Sequence, residues 1–354
     1  MVRPMRLGQT KAGCQRADTH LRRSFSSIPE QYRHAALVRD RGQVLKVAAY
    51  SIGGVFTPAQ HQRRGYAAQV MENVHSKLRK LTSTAGETDS AHTSKRADGQ
   101  DYGRDASLCV LWSDLGDYYE RFGWRNKPYS DTYFSPLALA NQPPIDEVHW
   151  ITDDVADEAL PKLAQADEAV VYQELQRTSE DDKVLSLLDP EAQSCRYHIL
   201  QSRLQFQFQG QQMPHSWGCY LGSHIPETAQ SWAIWSFDWR KPASHGLSSL
   251  AILRHHAANA EDLATLLNIA RYTAARQGCN TVVVWNIEGS TSSAWQEMTA
   301  SSKLRESIGQ TWQQERPTSR PALTWYEDDR EDVRLEAADD VQWLNAERTW
   351  CLAT

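Results

Sequence analysis

One stretch constrains this chain more than any other: Gly53-Gly54-Val55-Phe56-Thr57-Pro58, followed by Gln62-Arg63-Arg64-Gly65-Tyr66-Ala67. Paired glycines inside an apolar run mark a bulge or the close approach of another chain or ligand. Pro58 stops a strand, because it has no N–H to give to a ladder. From Arg64 onward, Ala67, Val70, Met71, Val74 and Leu78 recur at spacings of 3 and 4, which predicts a helix with one buried face. Lys77, Arg79 and Lys80 suit its C-terminal, negative pole. The pattern is therefore strand, turn, helix N-terminus. First-turn N–H groups have no partner inside the helix and lie at its positive pole, so such a turn can hold an anion. Gly65 lets the backbone approach that anion without a Cβ. Ala67 keeps the next turn slim, and Arg63 and Arg64 add charge. The turn fits a pyrophosphate; taken alone, an ordinary basic loop reads the same way.

The neighbouring segments give the turn its setting. Ala35–Arg39 and Val44–Phe56 read as two strands joined at "RDRGQ". Ser107–Ser113 is a buried parallel strand, followed by a short helix, Gly116–Phe122, closed by Gly123. This order makes an α/β unit with a right-handed crossover. A bulge at the glycines would splay the second strand from its parallel neighbour and free backbone groups for an extended ligand. Residues 82–105 are small, polar and mixed in charge, and read as a disordered insertion. Asn141–Glu147, with two prolines, reads as a linker.

The second half starts again with a strand, Val148–Ile151, and a helix from about Asp154. A further helix has Asp189 as N-cap and Pro190 in its first turn. Strands are expected at Trp217–Leu221, Ser231–Trp239 and Leu247–Leu253, a helix over Ala260–Gln277, a buried strand over Asn280–Ile287, and a last helix over Asp340–Trp350. Hairpin, helix and buried strand repeat the layout of the first half. The expected division is a basic, weakly structured N-terminus (1–34), a first domain (35–140) and a second domain (147–354). Its turn Arg254–Asp262 has no glycine and carries Glu261 and Asp262, so no phosphate site is expected there. His255 and His256 point to opposite strand faces, which reads as one packed and one solvated side chain, not a metal pair.

The chain has 354 residues, 40 % of them hydrophobic, enough for two cores. A net charge of −6 argues against a general nucleic-acid binder and leans toward cationic small molecules. The six cysteines are scattered without a CxxC pair, which reads as reduced thiols and no zinc or other metal. No apolar run nears the ~18 residues of a membrane span. Arg3, Arg6, Lys11, Arg16, Arg22 and Arg23 face one acid, Asp18. That is an irregular basic end on a cytoplasmic protein or, alternatively, a mitochondrial presequence.

The turn and its flanks carry a resemblance. Gln62-Arg63-Arg64-Gly65-Tyr66-Ala67 is similar to the (Gln/Arg)-x-x-Gly-x-(Gly/Ala) loop of the GNAT acetyltransferase superfamily. "VFTP" before it resembles that family's pantetheine-pairing strand end, and "YYERFGW" (Tyr118–Trp124) resembles its later tyrosine–acid–basic–apolar–glycine–aromatic signature. These pieces span about residues 35–135. Three longer segments, "IGGVFTP…RRGYAAQVM", "VLWSDLGDYYERFGW" and "SRPALTWY…VQWLNAERTWC", resemble the fungal L-lysine 6-N-acetyltransferases, cytoplasmic enzymes of lysine breakdown. The resemblance implies a mixed sheet with a bulged central strand flanked by helices, then a second GNAT-like α/β domain.

It also implies roles. The backbones of Val55 and Thr57 would pair with the pantetheine amides of acetyl-CoA. Gln62, Arg63, Arg64, Gly65, Tyr66, Ala67 and Ala68 would cradle the pyrophosphate, and the Val55 N–H would polarise the thioester carbonyl. Tyr119 would protonate the departing thiolate. The acceptor would be the side-chain amine of free L-lysine, attacking directly in a ternary complex, with no metal. Two departures stand out. "VLKVAAYSIGG" holds no glutamate to act as base, and only about 34 residues precede the first strand where family members carry a strand and two helices. The rival reading is therefore a CoA-binding or interaction protein with an impaired acceptor site.

Overall fold

The computed structural model describes residues 28–40, 42–84, 108–127, 129–141, 143, 147–177, 183–188, 193–222, 226–238, 249–287, 293–315, 319–326 and 341–343. In chain order it runs β1 (Ile28–Asp40), β2 (Gln43–Phe56), α1 (Tyr66–Thr84), β3 (Leu108–Ser113), β4 (Arg125–Asn126), β5 (Asp131–Phe134) and β6 (Val148–Trp150). Then come α2 (Ala156–Arg177), β7 (Lys183–Leu188), α3 (Gln193–Gln209), β8 (Gly218–Leu221), β9 (Trp232–Asp238) and β10 (Ser249–His256). The chain continues through α4 (Ala260–Arg276), β11 (Thr281–Trp285), α5 (Ser293–Ala300), α6 (Ser302–Ile308), β12 (Thr311–Gln314), β13 (Arg320–Trp325) and β14 (Val341–Trp343).

Two mixed sheets result, ordered β14-β7-β1-β2-β3-β13-β4 and β12-β5-β11-β10-β9-β8-β6. The α/β architecture is the expected one, but sheet membership cuts across the expected division. β7, β13 and β14 return from the second half to the first sheet, while β5 crosses into the second. The reason is edge satisfaction: β3 would end the first sheet with open N–H and C=O groups, and β13 pairs them from Ser113 to Leu108.

Three sequence expectations are corrected. The first strand begins at Ile28, not Ala35, so the weakly structured segment does not reach residue 34. Its early residues pair with the far end of the long β2, Ile28 opposite Phe56. Of the last helix expected over Asp340–Trp350, only Val341–Trp343 lie among the described residues, and these form a strand parallel to β7, because a sheet edge offers ladder partners that outweigh an ambiguous apolar spacing. Cys195 is disulfide-bonded, against the expectation of six reduced thiols, while Cys109, Cys219 and Cys279 are free and buried. α1 continues through Thr84, three residues into the expected insertion. The rest of that insertion, the Asp189 cap and Trp239 lie outside the described residues.

α1 buries the side chains its spacing marks: Val70, Met71, Val74 and Leu78 pack on Tyr50, Ile52, Cys109 and Leu111 of the first sheet. α2 ties the two sheets together. Ala156, Ala159, Leu160 and Leu163 belong to the second core, while Val171 and Leu175 lie on Ala35, Leu37 and Ala48 of the first. Arg39 donates from Nη1 to the carbonyls of Leu175 and Gln176 at 3.2 and 3.3 Å, satisfying the helix's C-terminal end. Asp167 meets Arg254 of β10 in an ion pair that is almost fully buried. Removing one charge of such a pair strands the other in a low dielectric and costs about 3–5 kcal/mol. Asp167→Asn should lower the urea midpoint accordingly, with far-UV circular dichroism unchanged in the absence of denaturant.

Candidate active site

β2 and β3 run parallel and pair from Ala49 with Leu108 to Ile52 with Leu111, then part. The parting is set by β2 itself. Between Gly53 and Phe56 it gains a residue on β1, leaving Gly54 and Val55 without opposite neighbours, and Gly54 takes φ 57. This is the bulge expected from the paired glycines. It twists β2 away from β3 and leaves a fork with Val55 at its mouth.

Past the fork, Pro58 opens a 3-10 turn, Ala59–His61, and the His61 N–H donates to the Pro58 carbonyl at 2.8 Å. Gln62 Nε2 donates to the Thr57 carbonyl at 3.1 Å. Gln62 therefore braces the loop from within, and that Thr57 oxygen already has one donor. Arg63 at φ 61 and Gly65 at φ 80 swing the chain into α1. A Cβ on Gly65 would meet nothing within 4 Å, so the positive φ alone calls for glycine here.

The Gly65 carbonyl accepts the first helical bond, from the Gln69 N–H at 3.0 Å. Among the described residues, no protein group accepts from the N–H groups of Arg63, Arg64, Gly65, Tyr66, Ala67 or Ala68. No acid stands in the first turn of α1, and Arg63 and Arg64 are exposed beside it. Three first-turn donors at the positive pole of α1, preceded by three uncommitted loop N–H groups and flanked by two guanidinium groups, favour a diphosphate.

The second sheet repeats the fork and closes it. β10 shifts register on β9 between Ile252 and Arg254, and its parallel pairing with β11 ends at Ile252 with Val284. The Ala258 N–H donates to Ser231 Oγ at 3.0 Å, the Asp262 N–H donates to Asn259 Oδ1 at 2.8 Å, and Ser231 donates in turn to Asp262 Oδ2 at 2.5 Å. Helix α4 thus starts capped and acidic, as α1 does not. His255 is buried and His256 half-buried there.

Tyr119 stands on the other side of the fork. Ser113 Oγ accepts from the Leu115 N–H and donates to the Gly116 carbonyl, both at 3.0 Å, which turns β3 into the 3-10 segment Gly116–Phe122. Gly123, at φ 98, ends it by donating to the Glu120 carbonyl. Tyr119 is buried among Tyr50, Ile52, Leu111, Val70 and Phe122, with the Tyr118 ring edge-on at 5.1 Å. Burial, then the nearby Tyr118 and Asp114, push its hydroxyl up to about 12. It therefore stays protonated at neutral pH. Val55 packs against the same cluster.

Three groups here had no role assigned from the sequence. Tyr326 O–H meets His75 Nδ1 of α1 at 3.2 Å, with Trp124 edge-on to His75 at 5.6 Å, so the residue that follows β13 braces α1. His34 Nε2 meets Ser51 Oγ at 2.7 Å on the opposite face of β2. Arg320 reaches the Gly116 turn. Their signal is long-range pairing, which local periodicity does not carry. A cavity of about 800 Å³, lined by Thr152, Asp153, His215 and Arg276 among others, shares no residue with the fork. Among the described residues no group of three or more potential metal ligands is found, and no helix is long and apolar enough to cross a membrane.

The forked sheet and open helix start have the form of a GNAT fold, and the comparisons with known proteins name the same superfamily. Residues 135–351 match the family model described as the LYC1 GNAT-like C-terminal domain, more than half of the chain. The chain belongs to that family. A relative from Yarrowia lipolytica (strain CLIB 122 / E 150), named lysine acetyltransferase, is 22 % identical over 285 residues, 73 % of this chain and 68 % of the relative. Among solved structures, a GCN5-related N-acetyltransferase from Anabaena variabilis is similar at 12 % identity and TM-score 0.44, over 83 % of this chain and 58 % of that one. One from Kribbella flavida stands at 13 % and 0.43, over 84 % and 57 %. This chain thus spans less than two thirds of either bacterial protein.

His34 supplies a pH test of this region. Burial lowers its pKa from 6.5 to about 4, so the folded imidazole is neutral where an unfolded one begins to charge. The unfolded chain then binds the extra proton. Stability from this group is complete above pH ~6.5 and is lost as pH falls toward ~4. His34→Gln should flatten the fall in urea midpoint between pH 7 and pH 4.

Proposed function

We propose that this protein is an acetyl-CoA-dependent N-acetyltransferase whose acceptor is the side-chain amine of free L-lysine. The observation that carries the reading is the row of uncommitted N–H groups from Arg63 to Ala68, set at the mouth of the β2–β3 fork. The name of the Yarrowia relative supports an amine as acceptor and lysine as the first candidate.

In this reading the amides of Arg63 to Ala68 hold the diphosphate of the CoA substrate, with Arg63 and Arg64 beside them. The strand end at Val55 and Thr57 lies along the pantetheine arm. The neutral amine attacks the thioester carbonyl carbon, and the carbon–sulfur bond breaks as the new carbon–nitrogen bond forms. The Val55 N–H donates to the carbonyl oxygen as negative charge gathers there. Tyr119 gives its proton to the departing sulfur, a role for which a hydroxyl held protonated is suited. The amine's surplus proton leaves to water, since β2 offers no carboxylate.

The test is to incubate the protein with acetyl-CoA and L-lysine and follow free CoA thiol and 6-N-acetyllysine. CoA binding with no product from any amine would leave a CoA-binding protein instead. Gly65→Glu puts a negative charge at the positive pole of α1 in a backbone conformation that only glycine adopts freely. It should weaken CoA binding at least about 100-fold, or ~2.7 kcal/mol, by calorimetry. Tyr119→Phe should lower kcat by about 100-fold, the low end for a lost general acid, while leaving CoA affinity within about twofold. Equal rates would remove Tyr119 from the chemistry.

A further inference from the structure

Free lysine carries an α-carboxylate as well as the amine that reacts. A site that selects it from among amines needs a cation near the fork, placed to pair with that carboxylate. This inference rests on the acceptor assigned above. Most described arginines and lysines nearby are committed. Arg63 and Arg64 flank the diphosphate turn. Arg121 lies over the Tyr118 and Phe122 rings at 4.2 and 4.6 Å. Lys46 pairs with Glu168 at 2.5 Å, and Arg125 and Lys127 are engaged by other groups of the chain.

Arg320 differs. It opens β13 opposite Ser113, two residues beyond the last pair of the fork, Ile52 with Leu111. Strand alternation puts it on the face of Ala322, which packs in the same cluster as Tyr119. Its Nη1 comes within 3.6 Å of where a Cβ would stand on Gly116, the first residue of the turn that carries Tyr119. Its guanidinium lies over the Tyr129 ring, 4.9 Å from the centroid.

Its Nε is buried with no hydrogen-bond acceptor, and no described carboxylate lies within ion-pair distance of it. The adjacent acids have donors of their own. Asp114 Oδ1 accepts from the Ser319 N–H and Asp117 Oδ1 from Asn126 Nδ2, both at 2.8 Å. Ser319 is held by this contact at φ 55, a conformation that a serine rarely adopts and that fixes where β13, and hence Arg320, begins. A buried guanidinium nitrogen without an acceptor is costly to keep unless an anion completes it.

We propose that Arg320 receives the α-carboxylate of the acceptor amino acid and so sets the preference for an amino acid over a plain amine. The planar guanidinium suits a carboxylate geometrically, as lysine in its place would not.

The experiment compares L-lysine with 1,5-diaminopentane, which has the same terminal amine and no carboxylate, in wild type, Arg320→Met and Arg320→Lys. CoA affinity is measured alongside by calorimetry. Arg320→Met should raise KM for L-lysine by about 10- to 100-fold, the span of one charge-assisted contact. KM for 1,5-diaminopentane and CoA affinity should stay within about twofold. Arg320→Lys should recover part of the preference, and it carries the test if the methionine variant does not fold. Equal losses on both amines, an unchanged KM for L-lysine, or a loss confined to CoA affinity overturns the proposal. A wild-type protein that binds CoA and prefers the diamine overturns it too, without touching the acetyltransfer reading. One that acetylates neither amine removes the lysine assignment and this proposal with it.

Discussion

Parallel strands that stop pairing leave backbone groups which water, protein or ligand must satisfy. In this molecule the parting of β2 and β3 beyond Ile52 and Leu111 is that constraint, and the surrounding residues answer to it. Gly54 supplies the extra residue and the turn of the chain. Gln62 braces the loop that leaves the fork, and Gly65 turns it into a helix whose first amides stay open. The second sheet has the same break, between Ile252 and Arg254, and spends Ser231, Asn259 and Asp262 on closing it. One geometry thus has two outcomes. Side chains at the helix start decide between them, because a capped, acidic N-terminus has neither the donors nor the sign of charge to take a phosphate.

The open fork is held from a distance. α2 lies on both cores and places Val171 and Leu175 on β1 and β2, with Arg39 binding its last carbonyls. β13 covers the far edge of β3 and brings Tyr326 against His75 of α1. The first sheet is therefore bordered by elements that come later in the chain. The missing strand glutamate has no replacement on β2. The buried pair His34–Ser51 lies close by, but an imidazole with a pKa lowered to about 4 is a weak proton acceptor at neutral pH.

Much of this could be read from the chain itself. The 3-and-4 spacing from Ala67 to Leu78 named the buried face of α1, and the doubled glycine named the bulge, because both signals are local. Tyr119 was named through a motif, and it packs in the buried cluster with Tyr50, Ile52 and Leu111. What was not legible is pairing between distant segments. β7 and β13 are short apolar stretches with no period of their own, and only the open edges of β1 and β3 make them strands. Val341–Trp343 read as helix for the same reason, since a few apolar residues fit either period. Arg320 lies in the segment SRPALTWY that resembles the family, but nothing in that segment gave it a role, and its place beside the Gly116 turn comes from pairing across the sheet.

The place of β13 has a consequence for how the molecule is made. Its pairing partner β3 ends at Ser113, roughly two hundred residues before β13 begins. A nascent chain emerging from the ribosome therefore presents the first half with one flank of its sheet uncovered until nearly all of the second half has followed. Domains that fold as they are synthesised usually finish one after the other. Here the first sheet can only be completed last, and its exposed strand must be kept from other chains for most of translation.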